Sequence, residues 1–592
     1  MQLTTLDVLT FVAFLALVVF VSLWASRKEK SGEDYFLAGR KLTWPLIGFS
    51  LIASNISTEH FVGMAGSAFG RIGLAIASYE WMAAITLVIV AWWLLPKFLK
   101  CGIYTMPEYL EYRYDGATRS IMAVYLMLLY VLALLATVLY SGAQGLNGIF
   151  GFPEMMVDSF GMSAENAVYW STVAGAWFIG IVAAIYTVYG GLKAVVWSDL
   201  LQGAALLIGG ALVLYLGLKI VGGGSVGEDG GVVGGSVMEG WRIFSEQNAD
   251  KLHVVLPWND PDVPWLAVFV GGLWIPNLFY WGLNQFITQR TLGAKSLAEG
   301  QRGIFLACFF KLLIPFIIVI PGIIAFQLYG DAVLAKAGGD VAKAGELAYP
   351  HLIATIMPPV LRGVMLAALA GAVMSSFNSG INSAATIYTI DIYKRYLRPN
   401  AETGQQMRMG RIATAVIAIA ACLIAPLPGS FEGVFAYIQE IWGFISPGIV
   451  AAFLFGILLP RAPVFAGKLV LLLGPLLYAI CRVPKWVLDG QGYKILADES
   501  GSRVVQQLGT EQVTVEGPLA WVYSFNNLAF LHHMALVFLV LAAVMLLATK
   551  LKPLAQPVSY PNSGLDVRVP MSSYVLGSLI IAATVLLYVL FW

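Results

Sequence analysis

Apolar runs of about twenty residues recur from one end of the chain to the other, with short polar stretches between them. That length spans the hydrocarbon core of a bilayer as a helix, so the pattern predicts an all-α membrane protein of about fourteen spans, beginning near 6–26 and ending near 573–591. Two of these spans break the pattern. In SNISTEHFVGMAGSAFG (54–70) five polar side chains, Asn55, Ser57, Thr58, Glu59 and His60, stand where lipid favours Leu or Val, and Gly63, Gly66 and Gly70 follow. In VGGLWIPNLFYWGLNQ (270–285) Gly271, Gly272, Pro276 and Gly282 interrupt the seventh span.

Glycine in a membrane helix is also a packing residue, so either break alone reads both ways. The two lie five spans apart, an odd number, so one helix enters from each side of the membrane. Matched breaks of this kind predict inverted repeats whose broken helices meet at the midplane around a cargo site. The organisation expected is an additional N-terminal helix in 1–30, a first repeat at 44–220, a second at 264–458, and additional helices in 465–592.

Composition supports this class and excludes others. The chain has 592 residues, 59% hydrophobic and 12% charged, and 35 basic residues nearly balance 34 acidic ones, which gives no hint of a nucleic-acid partner. Lysine and arginine gather in alternate connections, at 27–30, 97–119, 290–302, 394–398 and 550–552. By the positive-inside rule these are cytoplasmic, so both termini are expected outside, in a bacterial inner membrane. The connections at 222–262 and 486–526 are polar, acidic and expected to be surface loops. Cys101, Cys308, Cys422 and Cys481 lack metal or redox spacing and are expected to pack in the core. No HExxH, GxSxG or paired-carboxylate spacing points to an enzyme.

Ionisable groups inside spans cost about 2.5–3.5 kcal/mol each on insertion scales, and they normally face a cavity or a partner. By that test Glu59, His60, Glu80, Asp199 and Lys311 stand out, with the amides Asn55, Asn277, Asn284, Gln285 and Gln439. Glu80 and Lys311 read equally as an ion pair locking two helices, Asp199 as a solvated helix end, and Gln439 as a helix–helix hydrogen bond. Adjacent residues on a helix point about 100° apart, so Glu59 and His60 are not expected to face one cavity together. In ALAGAVMSSFNSGINSAAT (367–385), Ala372, Ser375 and Ser376 share a helix face and place one carbonyl and two hydroxyls together. Small residues there also describe close packing. Opposite the unwound carbonyls of a broken helix, the same face describes a sodium site.

These stretches, with EDYFLAGRKLTW (33–44), GIYTMPEYLEYRY (102–114), YGGLKAVVWSDLLQ (189–202), GGLWIPNLFYWGLNQFITQRTLGAKS (271–296) and FAYIQEIWGFISPGI (435–449), resemble the sodium/solute symporter family, in its sodium/glucose and sodium/galactose branch. The resemblance covers nearly the whole chain. It implies a LeuT-like core of two inverted five-helix repeats and symport of Na+ with a neutral hexose such as galactose or glucose. Sodium is then bound by Ala53, Ile56, Ala372, Ser375 and Ser376, with Asp199 near its exit. The sugar is held by His60, Glu80, Asn277, Lys311 and Gln439. Tyr280 and Asn55 form an inner gate, and Trp281, Met64, Tyr79 and Phe435 the apolar walls and outer lid. Histidine at position 60 resembles the animal glucose cotransporters, whereas the bacterial galactose member has glutamine there. The Glu59–His60 pair resembles the inositol cotransporters, which leaves a cyclic polyol open. Asn378 stands where members that bind a second sodium carry a hydroxyl. Other polar solutes, such as an amino acid, and a non-transporting sugar sensor are the alternatives.

Overall fold

The computed structural model of the chain describes residues 4–592 except 30, 58, 228–230, 427–433, 491–492, 498–502, 508–512 and 515–524. Among the described residues, 12 helices are long and apolar enough to cross a membrane. One of them, Ala164–Val221, turns at Gly191 (φ 52°, ψ −146°) and is two spans. A side chain there would place its Cβ 2.3 Å from the Tyr35 carbonyl oxygen, so only glycine fits. The segment 44–69 is a further span, divided after Asn55 into Trp44–Asn55, Glu59–Met64 and Ala65–Phe69. The fourteen spans read from the sequence are therefore present.

Burial separates the bundle into centre and rim. Leu361–Leu397 is buried over 94% of its apolar window and forms the centre, whereas Thr5–Ser26 and Met571–Leu590 are each buried over 22% and turn most of their leucines and valines outward. The central helix can be enclosed because it is built from Ala, Gly, Ser and Asn, which let neighbouring backbones come close. The four cysteines are free and buried, as expected.

The first break lies elsewhere than its glycines suggested, and the second helix opens once at its glycines and once beyond them. In the first broken helix the chain leaves helical geometry at Ile56 (φ −78°, ψ 113°), ahead of Gly63. Gly66 packs instead, its missing Cβ standing 2.8 Å from the Gly345 backbone. The second broken helix, Trp265–Leu292, is interrupted around Gly271–Gly272 and again at Asn284 (φ −89°, ψ 122°). Side chains replace the lost backbone partners at that second break: the Phe286 amide donates to Asn284 Oδ1 at 3.1 Å and to the Tyr130 hydroxyl at 3.0 Å. At Ile56 and Asn284, polar side chains able to receive freed amides, rather than glycines, mark where the helices open.

Three cations counted as solvated loop residues are in fact buried. Arg113 donates to the carbonyls of Gly456 (2.6 Å) and Leu459 (2.8 Å), Arg119 pairs with Asp391 at 2.6 Å, and Arg290 is buried in the last segment of the second broken helix, Gln285–Leu292. A guanidinium presents five donors in one plane and can satisfy several carbonyls and carboxylates at once, so it can be enclosed where a lysine would stay wet. The ninth span runs Leu361–Leu397 rather than 353–388, and a separate helix, Val341–Ile356, packs on the resumed part of the first broken helix.

Both expected surface loops carry structure. Within 486–526 short antiparallel strands pair, Tyr493–Ala497 with Arg503–Gln507 and the latter with Val513–Thr514. The loop at 222–262 forms a small hairpin and the helix Val237–Gln247, then straps the end of the first broken helix. Lys251 donates to the carbonyls of Phe69 (3.1 Å) and Gly70 (2.5 Å), and Arg71 binds Asp260 (2.6 Å) and Asp262 (2.5 Å). Burial raises the Asp260 carboxyl, but hydrogen bonds from Arg71 and from the Val263 and Asp262 amides outweigh it and hold the group below the ordinary carboxylate value. A carboxyl held low stabilises the fold above its unfolded-state pKa, and that contribution fades as pH falls through the folded value. Asp260→Asn is therefore expected to cost about 1 kcal/mol at neutral pH. Thermal unfolding in detergent should show the deficit at pH about 7 and still most of it at about pH 4, the ordinary carboxylate value, with its loss only at lower pH as the folded-state value is passed; a deficit that persists unchanged in stronger acid would exclude the ion pair as its source.

Candidate functional site

A cavity lies between the two broken helices. Its wall includes Asn55, Glu59 and His60 from the first, Asn277, Tyr280 and Trp281 from the second, and Tyr79, Glu80, Lys311, Ser376 and Gln439 from helices around them. All five residues expected to hold the sugar line it, as do four of the six expected gate residues. Met64 is buried but is not part of the wall. The side chain of Phe435 lies outside the described residues.

Glu59 and His60 both reach the cavity, contrary to the helical-wheel expectation. Glu59 is the first residue of the resumed helix, where the cavity wraps around the helix end and neighbouring residues need not share a face.

The polar wall is a connected network. Lys311, fully buried, donates to Glu80 Oε2 at 2.5 Å and to Asn55 Oδ1, and its ammonium lies 4.7 Å from the centre of the Trp281 ring. His60 Nε2 approaches Glu80 Oε1 at 3.5 Å. Asn55 Nδ2 donates to the Tyr280 hydroxyl at 3.3 Å, which ties the proposed inner gate across the two broken helices. Tyr280 packs edge-on against Trp281, with centroids 5.1 Å apart, and Trp442 completes the aromatic floor. The Asn277 Nδ2 has no partner and is buried at the cavity wall. A buried amide without a partner is costly, and this one has an acceptor to gain from whatever enters the cavity, water or solute.

Below the cavity the break releases two carbonyls. The Ser57 amide turns to His60 Nδ1 (3.4 Å) and so leaves the Ala53 carbonyl, and the His60 amide bonds Ser57 (3.0 Å) and so leaves Ile56. Ser376 Oγ reaches the same helix, donating to the Ser54 carbonyl at 2.9 Å, and Ser375 Oγ donates to Asp199 Oδ1 at 2.6 Å. Ala372 lies one turn before the serines on the same helix, and carbonyls and hydroxyls of this kind are the neutral oxygen donors that a small hard cation takes.

Asp199 is not a solvated helix end. It is fully buried, accepts hydrogen bonds from Ser50 (2.5 Å) and Ser54 (3.3 Å), and faces the guanidinium of Arg290 at 3.7 Å. Arg290 in turn donates to Ser50 (2.6 Å), Ser54 and Ser379. Sequence reasoning passed over Arg290, Ser50, Ser54 and Ser379. The signal available was the spacing of Ser375 and Ser379, and of Ser50 and Ser54, each one turn apart. Asn378, the departure noted above, is engaged by Thr187 (2.8 Å) and Tyr186 (2.5 Å).

The pattern that defines the "Sodium:solute symporter family" matches residues 35–467. A sodium/glucose cotransporter of Vibrio parahaemolyticus is 42% identical over 469 residues, 77% of this chain and 81% of that protein. A sodium/myo-inositol cotransporter of Mus musculus is 32% identical over 462 residues, 75% of this chain and 61% of that longer protein. Among solved structures, the substrate-bound outward-open state of a Na+-coupled sialic acid symporter matches with a TM-score of 0.68 at 20% identity, covering 94% of this chain and 100% of that one. At that identity the likeness shows the fold, which is the LeuT-like one with broken first helices.

The Glu80–Lys311 pair supports a prediction about stability. Removing one partner of a buried pair strands the other charge and costs about 3–5 kcal/mol, whereas replacing both with neutral groups is nearly neutral. Glu80→Gln is expected to lower the unfolding midpoint in detergent strongly, and Glu80→Gln with Lys311→Met to recover most of it. If the double variant is as unstable as the single, the pair's charge is not what the fold depends on.

Proposed function

The chain belongs to the sodium:solute symporter family, and we propose that the solute it carries with sodium is a neutral hexose, galactose or glucose. It is a multi-pass membrane protein that couples solute movement to Na+, and not an enzyme. Its membrane is the bacterial inner membrane, with both termini outside.

The observation that carries the hexose reading is the composition of the cavity wall. A hexose presents donors and acceptors around an apolar ring face. Glu80 accepts, Lys311 and the unpartnered Asn277 Nδ2 donate, His60 and Gln439 serve either sense, and Tyr280 and Trp281 offer aromatic faces. Because Glu80 and Lys311 already neutralise one another, the wall answers hydroxyls without demanding a charged solute. Two relatives named for glucose and for myo-inositol support the same chemistry, and the Glu59–His60 pair favours a cyclic polyol as the second reading.

Sodium is bound by the carbonyls of Ala53, Ile56 and Ala372 and the hydroxyls of Ser375 and Ser376, and it leaves past Asp199. Ser376 then turns its proton away from the Ser54 carbonyl and offers its lone pair to the ion. The ion holds the first broken helix against the central helix and so forms the sugar site next to it, and by linkage the sugar tightens the sodium site by the same factor. One ion crossing about 100 mV supplies about 2.3 kcal/mol, and a tenfold gradient about 1.4. Together these sustain a sugar gradient of roughly several hundredfold.

Proteoliposomes loaded under an inward Na+ gradient test this reading. Labelled galactose or glucose is expected to accumulate only with Na+ and to carry charge inward. Ser376→Ala is expected to raise the Na+ concentration needed by about tenfold, and Gln439→Ala to raise the sugar concentration needed by a similar factor. Sugar and sodium binding without accumulation would make the chain a sensor, and competition by inositol better than by either hexose would name the polyol.

A further inference from the structure

Gln439 and Trp442 line the cavity from the helix Val434–Leu458, and Glu440 and Phe444 stand on the opposite side of that helix. There it meets the helix Val464–Gly490. Glu440 accepts from Arg482 Nε and, at 3.0 Å, from Trp486 Nε1. The Phe444 ring packs against Tyr478 and Trp486, with centroids 5.0 and 5.6 Å apart. At Gly443 the two helices come so close that a Cβ would stand 2.2 Å from Tyr478 Cζ. Arg482 is buried, and it also donates to the carbonyls of Asn526 (3.3 Å) and Leu528 (3.4 Å), just ahead of the helix Phe530–Leu551. One guanidinium therefore ties the back of the cavity helix to two helices that follow it in the chain, and it lies beyond residue 467, where the family pattern ends.

The cavity helix needs such a tie. Pro447 has no amide to donate to the Gly443 carbonyl, so one rung of the helix is missing just after the residues that line the wall. The segment that carries Gln439 is thus loosely joined to the segment after the proline, and its rotation is left to its own contacts. A turn of about 10° moves a group ~6 Å from the helix axis by about 1 Å. That distance is enough to spoil a hydrogen bond to a solute.

From this arrangement we infer that Glu440 is a positioning residue for the cargo: held from behind by Arg482 and Trp486, it sets the rotation at which Gln439 presents its amide to the cavity. Glu440 itself is not part of the wall. The inference rests on the hexose reading above for what Gln439 meets, and adds a contact outside the cavity that sets how tightly the sugar is held.

Uptake into proteoliposomes tests it as a cycle of variants. Glu440→Gln is expected to raise the half-saturating sugar concentration about fivefold and to leave the maximal rate within about twofold of wild type. In a Gln439→Ala background the same substitution is expected to add nothing, because the amide it positions is gone. An additive loss, about fiftyfold for the pair, overturns the inference. A rise of about fivefold in the Na+ concentration that stabilises the sugar-free protein against heat overturns it as well, since that marks a weakened fold. Glu440→Gln strands a buried guanidinium and can fail to fold. Trp486→Phe keeps the ion pair and removes one donor from the carboxylate; it is expected to raise the half-saturating sugar concentration about twofold in wild type and not beside Gln439→Ala, and no rise in wild type counts against the inference. A reading without sugar comes from Gln439→Cys, labelled by a small methanethiosulfonate reagent. Adding Glu440→Gln or Trp486→Phe is expected to change the labelling rate at position 439, and an unchanged rate sinks the idea. If wild type accumulates neither hexose while labelling at position 439 still responds to these substitutions, the hexose reading fails and the positioning stands.

Discussion

The structure depends on one constraint: a backbone opened inside a membrane must find new partners for the polar groups it releases, because no water is there to take them. At the first break the released amides are taken by local groups, the Ser57 amide by the His60 ring and the Glu59 amide by the Ser57 hydroxyl at 3.2 Å. The carbonyls are treated differently. Those of Ala53 and Ile56 lose their helical partners, while the Ser54 carbonyl between them accepts from Ser376 of the central helix at 2.9 Å. A break that satisfied its donors and left its acceptors wanting is what a cation site requires.

The same constraint governs the charges. Every buried charge near the breaks that belongs to a pair bridges two spans: Glu80 with Lys311, Asp199 with Arg290, Asp391 with Arg119. Such pairs contribute little net stability compared with well-packed apolar groups, but each demands a particular juxtaposition of its helices. The Asp199 cluster is the most demanding, since Arg290 bonds hydroxyls from both the first broken helix and the central helix while Asp199 accepts from Ser375. Sliding one of these helices past another without breaking the cluster is not possible, so movement there comes as discrete rearrangement rather than continuous deformation.

Much of this was legible in the sequence. Span number, the pairing of two broken helices, and the short set of costly intramembrane groups follow from apolar run length and from the cost of placing polar groups in lipid; the gathering of Glu80, Lys311, Asn277 and Gln439 into one wall is what the family resemblance implied. The exact break points were not, because Gly63 and Gly66 signal flexibility while the deciding event is an amide finding the His60 ring, a tertiary contact no period reveals. Arg290 was missed for the opposite reason. It closes a polar run, TQR, that reads as the end of a span, and only the fold shows that Ser50, Ser54 and Ser379 have gathered around it. Met64 was carried over by resemblance to a wall it does not join, since a buried methionine packs equally well one layer behind a cavity.

The geometry also bears on why coupling needs no relay between distant sites. Of the proposed sodium ligands on this helix, Ala53 precedes the break by a few residues and Ile56 stands at it, and Glu59 and His60, in the cavity wall, follow it at once. Ser376 touches both regions, lining the cavity while its hydroxyl bonds the Ser54 carbonyl. Whatever angle the two halves of the helix adopt is therefore felt on both sides of the break within one turn. An ion that prefers one angle and a solute that prefers the same angle reinforce each other through that single hinge, and the coupling energy is limited only by how strongly each discriminates between angles. On this account the residues that set the strength of coupling are those that define the hinge, Ser57 and His60 through their backbone partners, as much as those that touch the cargo.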